Sequence, residues 1–508
     1  MNLARILSRT QLGLSAPLVQ VELHVGRGLP SFAIVGLPAP VVRESRERVR
    51  AALLNSGYEF PAGRITVNLA PVELSKQGGR FDLPIALGLL IASGQLAAAA
   101  RAFECYGELG LAGELKPVSG LFLAALHAAN AGHALIVPAA NGAEVVMSGH
   151  GAAYGAASLR EAAARLSGSG ASAALRAAAD RVATAPPMLP GLAEVAGQWQ
   201  AKRALIIAAA GGHSLLMVGP PGSGKSMLAA RLPGLLPPLS TPEALEVAGI
   251  ASVCGLQLDP SRWTCRPFRA PHHTASAHAI VGGGPRILPG EISLAHQGVL
   301  FLDELPEFDR RVLESLREPL ETGSITVARV GSRLALPAQF QLIAAMNPCA
   351  CGYLGDSVQA CRCTPGGIER YRQRISGPLL DRVDIRIEVP RVAIGDQVDA
   401  LAAPQAQSQS PSASDPAAQV QAARERRLQA SGALSARLSV SQLQACCALP
   451  RLSERLLRRG SQQLGLSGRG VHRLLALGRT IADLAGSELI EPPHLAEAMQ
   501  LRRSLPGS

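Results

Sequence analysis

Residues Gly219-Pro220-Pro221-Gly222-Ser223-Gly224-Lys225-Ser226 follow the apolar run Ser214 to Val218 and precede the helical pattern Met227 to Leu232. A buried strand that turns through glycines into a helix aims successive backbone N–H groups, and the positive end of the helix dipole, at one point. That geometry cradles a polyphosphate. In it Lys225 would reach the β- and γ-phosphates of ATP and the Ser226 hydroxyl would ligate Mg²⁺. Lysine usage sharpens the reading, because lysine occurs only at Lys76, Lys116, Lys202 and Lys225 and every other basic residue in the Lys+Arg count of 49 is arginine. A compact point charge among phosphates is a role that arginine does not fill equally well.

With 508 residues there is room for two or three domains. A formal net charge of +11 favours an anionic partner, nucleic acid first. Aromatic residues make up only 3%, so base stacking has little material and contact with phosphate backbones would have to dominate. Met1 to Ala16 contains Arg5 and Arg9 but no continuous apolar core, so no secretory signal is expected and the cytoplasm is the expected location. The charge-free run Leu83 to Ala100 contains Pro84, Gly88 and Gly94, which suits a buried helix ending near Ser93-Gly94 better than a membrane span. The nine cysteines include two Cys-x-Cys pairs close together, a pattern that fits reduced thiols and metal rather than disulfides.

Along the chain, residues 1 to about 165 alternate β-branched runs with Ala/Leu-rich helical stretches. Strands are expected at Val19 to Val25, Ser31 to Val35, Arg64 to Leu69 and Ala134 to Val137, with a helix from about Val41 to Ser56. Ser31 to Pro38, Asn68-Leu69-Ala70-Pro71 and Lys76 to Pro84 resemble the Lon-protease-like domain, of ribosomal-S5-type fold, that heads the magnesium-chelatase-like ATPases. True Lon proteases carry a serine nucleophile in the corresponding loop, where this chain has Arg80 and Phe81. Ser75 and Lys76 are adjacent and on a strand would point to opposite faces, so the domain reads as a non-proteolytic scaffold or DNA-docking module.

Residues 166–190 read as a Gly, Ser, Ala and Pro linker. Gly197-Gln198 then opens a helix leading to the phosphate-loop strand; in AAA+ ATPases this segment lies against the adenine. Val299 to Leu302 is an apolar strand ending in Asp303-Glu304. Paired with the phosphate loop it reads as a Walker B site, Asp303 holding the Mg²⁺ shell and Glu304 polarising the attacking water. Gln339 to Asn347 is a third core strand whose terminal Asn347 stands at the sensor 1 position; a turn-initiating Asn before Pro348 is the plainer alternative.

The resemblance to the AAA+ group implies further roles. Arg382, in Leu379 to Asp384, resembles the arginine finger that acts on a neighbouring subunit's nucleotide, with Arg374 second. A finger acting in trans implies a ring, expected to be hexameric. Ser467 to Arg473 resembles the sensor 2 motif, Arg469 being the first choice for phosphate contact and Arg473 the second. Arg266 to Arg286, together with the hairpin Ile325 to Arg329 and Arg333 to Ala335 behind a helix at about Asp309 to Glu321, matches the helix-2 insert and pre-sensor-1 hairpin of the magnesium-chelatase-like and MCM-like branch. Arg269, Arg286, Arg329 and Arg333 are then candidate contacts to a DNA backbone. His272, His273 and His278 suggest a metal cluster only weakly, as no cysteine or carboxylate completes it. Cys349, Cys351, Cys361 and Cys363 lie within fifteen residues of one another and can close a tetrahedral thiolate site, Zn²⁺ being the expected ion.

The expected architecture is α/β. It has a Lon-protease-like α+β domain over 1–165, a P-loop AAA+ core with a parallel sheet over 191–400, a mobile low-complexity linker over 401–419, and an all-helical lid over 420–508. The resemblance implies an ATP- and Mg²⁺-dependent hexameric motor acting on DNA, in branch migration or helicase activity during recombination or natural transformation. The alternatives are a metal-chelatase motor subunit, a protein-remodelling ATPase, and an ATP-dependent protease.

Overall fold

The computed structural model describes residues 3–76, 78–97, 102–168, 175, 189–284, 287–329, 332–392 and 415–502. The chain forms two compact units. One comprises Met1–Pro186 with Ala244–Trp263, the other Pro187–Glu243 with Thr264–Ser508.

In the first unit the strands are β1 (Leu3–Arg9), β2 (Leu18–Gly26), β3 (Ser31–Val35), β4 (Arg64–Ala70), β5 (Phe103–Cys105), β6 (Glu108–Leu109), β7 (Leu115–Lys116), β8 (Ala134–Pro138) and β9 (Ala153–Ala156). Seven form a mixed sheet in the order β3-β4-β2-β1-β5-β8-β9, and β6-β7 is a short separate ribbon. The four strands expected from the sequence are β2, β3, β4 and β8. Alternation explains β2 and β4, whose inward residues Val19, Val21, Leu23, Ile65, Val67 and Leu69 are fully buried while their neighbours are not. The helix Pro40–Asn55 begins at its proline and stops before Gly57, whose φ is +82°. The apolar helix Asp82–Ala92 is buried on every side and ends at Ser93, as the run beginning at Leu83 implies. Among the described residues no helix is long and apolar enough to cross a membrane.

Several buried charged groups in this unit are paired, though among the described residues the buried Ser8 hydroxyl has no hydrogen-bond partner. Arg9 donates to both oxygens of the buried Glu104 at 2.8–3.1 Å, and Tyr106 donates to the same carboxylate at 2.6 Å. Asp82, at the start of its helix, accepts from Ser45 and from Arg48 at 2.7 Å. Lys76 is fully buried and donates to the Pro71 carbonyl, whereas Ser75 is exposed. The two side chains therefore face apart, as their adjacency requires.

The second unit contains β10 (Leu215–Val218), β11 (Phe268–Arg269), β12 (Gly282–Gly283), β13 (Leu288–Pro289), β14 (Val299–Leu302), β15 (Ser324–Arg329), β16 (Ser332–Pro337), β17 (Gln341–Met346) and β18 (Ile385–Glu388). Its main sheet runs β11-β14-β17-β10-β18, and every pairing in it is parallel. β10, β14 and β17 are buried along their whole length, which is why they read as unbroken apolar runs. The pairs β12-β13 and β15-β16 are antiparallel hairpins. The helix expected after β14 is broken into Arg310–Ser315 and Arg317–Thr322; Pro319 has no N–H to continue the first helix.

A core running from Leu192 to Ala498 joins the sheet to the helix Trp199–Gly211 and to the C-terminal helices. The first of these, Pro416–Ser431, is capped by Asp415 and starts inside the stretch expected as linker. Residues 393–414, and most of 169–188, lie outside the described residues.

Candidate functional site

Parallel strands place their C-terminal ends on one edge of the sheet, and the candidate residues follow three adjacent strands there. Gly219–Gly224 follows β10, Asp303 and Glu304 follow β14, and Asn347 follows β17. In the loop, Gly222 and Gly224 have φ of +75° and +87°, which L side chains rarely adopt. A Cβ at Gly219 would fall 2.1 Å from the Val389 carbonyl oxygen, so this position too excludes a side chain.

The Lys225 ammonium donates to the carbonyls of Gly219 at 2.7 Å and Pro220 at 2.9 Å, and lies 3.4 Å from Asn347 Oδ1. Burial lowers its pKa, and the Asp303 and Glu304 carboxylates oppose that shift. Ser226 Oγ donates to Asp303 Oδ2 at 2.5 Å, so the two expected Mg²⁺-side oxygens converge. Ser223 Oγ, in the middle of the loop, is buried without a hydrogen-bond partner. An open polar atom, glycine-lined backbone and a lysine held by loop carbonyls fit a polyphosphate with its Mg²⁺. Gln198 Nε2 donates to the Pro390 carbonyl at 2.6 Å and to Ser223 O at 3.4 Å, which seats the Gly197-Gln198 segment beside the loop.

Glu304 has φ +52°, an unusual value for a residue with a side chain. Its N–H donates to Asp303 Oδ1 at 2.9 Å, and its carboxylate Oε2 lies 3.0 Å from His273 Nδ1. His273 is packed between His272, with ring centroids 4.2 Å apart, and the edge of Phe308. Sequence reasoning grouped His272, His273 and His278 as a weak metal cluster. Instead, among the described residues the only group placed to hold a metal is the four cysteines. The overlooked signal was position: His273 follows β11, which pairs with the strand that carries Glu304.

The sulfurs of Cys349, Cys351, Cys361 and Cys363 all lie within 4.8 Å of one another, with Cys349 3.4 Å from Cys351 and both 3.6 Å from Cys361. Zn–S bonds of about 2.3 Å in a tetrahedron require sulfurs about 3.8 Å apart, so the cluster fits Zn²⁺. Backbone N–H groups of Arg362 and Tyr353 bring the Cys351 thiol down to about 6, favouring the thiolate a metal needs. The loop also abuts the phosphate loop: a Cβ on Gly352 would fall 2.7 Å from the Pro221 ring.

The candidate arginines are engaged within the chain. Arg382 is buried, donates to the Pro378 carbonyl at 2.6 Å and pairs with Glu321. The largely exposed Arg469 reaches the same carboxylate at 3.4 Å. Arg473 donates to Asp384 Oδ1 at 2.6 Å and to the Arg382 carbonyl, and Arg374 pairs with Glu307 at 2.7 Å. Arg269 forms a two-pronged pair with Glu291 at 2.5 and 2.6 Å. Arg286 lies outside the described residues, and so do the side chains of Arg329 and Arg333.

Residues 191–397 match the family described as magnesium chelatase, subunit ChlI. Residues 21–141 match subunit ChlI of Mg-chelatase, and residues 410–502 match the ChlI C-terminal family. Across 99% of its length the chain is 47% identical to the YifB protein of Salmonella typhimurium, covering 97% of that protein. It is 44% identical to competence protein ComM of Haemophilus influenzae, covering 99% of this chain and 98% of that one. The chain belongs to the YifB/ComM group of magnesium-chelatase-like proteins. A magnesium-chelatase 38 kDa subunit of Acidiphilium rubrum is 27% identical over 59% of this chain, a more distant relation. Members of the YifB/ComM group are AAA+ ATPases, and the mixed α/β fold with its parallel sheet suits that assignment.

Proposed function

We propose that the protein is an ATP-driven ring motor acting on DNA. The observation that carries the ATPase half is the convergence of Lys225, Ser226, Asp303, Glu304 and Asn347 on one edge of the parallel sheet. In this reading the loop amides and Lys225 hold the phosphates, Ser226 and Asp303 hold Mg²⁺, Glu304 orients and deprotonates the attacking water, and Asn347 senses the γ-phosphate. Mg²⁺ held by Ser226 and Asp303 would supply charge neutralisation to the phosphates. Arg382 or Arg374 would complete a neighbouring subunit's site, and Arg469 would read the nucleotide from the helical region.

The DNA half is supported by the net charge of +11 and by the near full-length likeness to a competence protein. The deciding measurement is the steady-state ATPase rate without DNA, with single-stranded DNA and with four-way-junction DNA, at two salt concentrations. DNA stimulation that is stronger at low salt and absent in Glu304→Gln is the expected result. Hydrolysis indifferent to every DNA would retain the ATPase and reject the DNA motor in favour of a chelatase-type or protein-remodelling role.

A further inference from the structure

The second unit holds a cavity of about 650 Å³ that the nucleotide chemistry does not use. Its walls include Gly212 ahead of β10, Arg266 ahead of β11, Gly298 ahead of β14 and Gln341 at the start of β17. It therefore lies at the N-terminal edge of the parallel sheet, whereas the phosphate loop, Asp303 and Asn347 lie at the C-terminal edge. At about 3.3 Å per residue, the strands between put the two edges roughly 13 Å or more apart. The volume is that of a site for a small organic molecule.

Three arginines line this cavity, Arg266, Arg424 and Arg437. Arg266 is spoken for, donating to the carbonyls of Pro237 at 2.8 Å and Gln297 at 2.7 Å and pairing with Glu243 at 3.3 Å. Arg424 commits one nitrogen to the Ala209 carbonyl at 2.8 Å. Among the described residues no hydrogen bond or ion pair engages the Arg437 guanidinium, although it lines the cavity and is open to solvent. The second carboxylate on the wall, Glu425, accepts from Gln421 at 2.9 Å.

The electrostatics agree with this placement. Burial first, then the Arg266 and Arg437 charges, pulls Arg424 down to about 9, with only Glu243 opposing. Like charges lining one cavity repel one another, and a bound dianion would relieve that repulsion while engaging the Arg437 guanidinium. Apolar side chains form part of the wall, Leu236, Pro237, Pro238 and Leu239 on one segment and Leu428 and Leu434 on others, and Ser240, Gln297, Gln339, Gln341 and Gln421 add polar groups.

We propose that this cavity binds a small organic phosphate, its phosphate gripped between Arg424 and Arg437 and its apolar body lying on the Leu236–Leu239 wall. Guanidinium forks match phosphate oxygens two at a time. A half-open cavity of this volume with a leucine and proline segment in its wall suits a small molecule. The proposal is independent of the DNA reading.

The test is calorimetric titration of AMP and of pyrophosphate into the full chain carrying Lys225→Ala, which silences the phosphate loop. Saturable binding near one per chain is expected, weakened roughly tenfold or more by adding Arg437→Ala or Arg424→Ala, and partly restored by Arg437→Lys. Arg437 is exposed, so its replacement should leave the thermal midpoint unchanged; that control separates lost contact from lost fold. Absence of binding in Lys225→Ala, or an affinity that neither arginine replacement lowers, overturns the site. So does binding of a short oligonucleotide by a protein that takes neither AMP nor pyrophosphate, which would assign the surface to nucleic acid.

Discussion

Lys225 without nucleotide is held by the carbonyls of its own loop. Those oxygens cost little to surrender when phosphates arrive, because the ammonium exchanges neutral acceptors for anionic ones. Replacing Lys225 by Ala is expected to abolish ATP binding in an equilibrium titration; unchanged affinity would remove the loop from the site. His273 acts at one remove, through the carboxylate it touches at 3.0 Å. If it positions Glu304, His273→Ala should lower kcat about tenfold, leave KM for ATP within about twofold, and regain part of the rate as His273→Gln. A variant whose KM rises while kcat holds would make His273 a packing residue only. Neither histidine contact could be read from spacing, since it depends on how β11 and β14 lie side by side.

At the scale of elements, two assemblies hold the site's geometry. One is the knot around Asp384, just ahead of β18. Its carboxylate is buried and accepts from Ser214 N at 3.1 Å, and it lies 3.3 Å from His213 Nδ1 and 2.6 Å from Arg473. Burial alone would raise the Asp384 pKa, but His213 and the Arg473 charge outweigh it and hold the group well below the usual carboxylate range. A carboxylate depressed in the folded state stabilises above its unfolded pKa of about 3.9 and loses that contribution as pH falls below it. Asp384→Asn is expected to cost about 3 kcal/mol in urea unfolding near pH 7, with the gap from wild type narrowing as pH drops below about 4. A pH-independent gap would refute the electrostatic account. The other assembly is the cysteine loop, joined to Asn347 through Pro348 alone and packed on Pro221. Purified protein is expected to carry one zinc per chain by elemental analysis, and chelation should lower the thermal midpoint by about 5 °C and slow ATP turnover. Full metal loss with neither effect would leave the thiols without a structural role.

At the scale of the whole molecule, both arginines proposed as fingers are tied up within the chain. Arg382 is held by Glu321 and Arg374 by Glu307. For either to reach another subunit's nucleotide, assembly must break an intramolecular ion pair; the exposed Arg374–Glu307 pair holds by only about 1 kcal/mol or less, whereas Arg382 is buried in its own pair. Arg374 is the more accessible of the two. Mixing wild type with increasing fractions of Glu304→Gln subunits should depress ATPase activity more steeply than in proportion, and Arg374→Ala and Arg382→Ala, assayed singly, should identify the finger by loss of turnover with ATP binding retained. A strictly proportional fall would reject catalysis shared between subunits. The same scale governs partners: a net charge of +11 acts at a distance on any polyanion, but only to about 8 Å at physiological salt.

The sequence by itself determined the phosphate loop, the buried strands that flank it and the acidic pair after β14. These are local patterns: apolar runs of strand length, glycines where φ must be positive, and a lysine where a point charge is needed. It also placed β2, β3, β4 and β8 and the fully buried helix Asp82–Ala92, because alternation and all-round apolarity are written residue by residue. Short strands such as β5 and β11 left no comparable signal, because strands of two or three residues carry no period to detect. Tertiary structure alone decided that His273 meets Glu304, that Glu321 serves both Arg382 and Arg469, and that residues 244–263 belong with the first unit. Each of these depends on contacts between segments far apart in the chain, whose closeness is set by sheet order and core packing rather than by any local propensity.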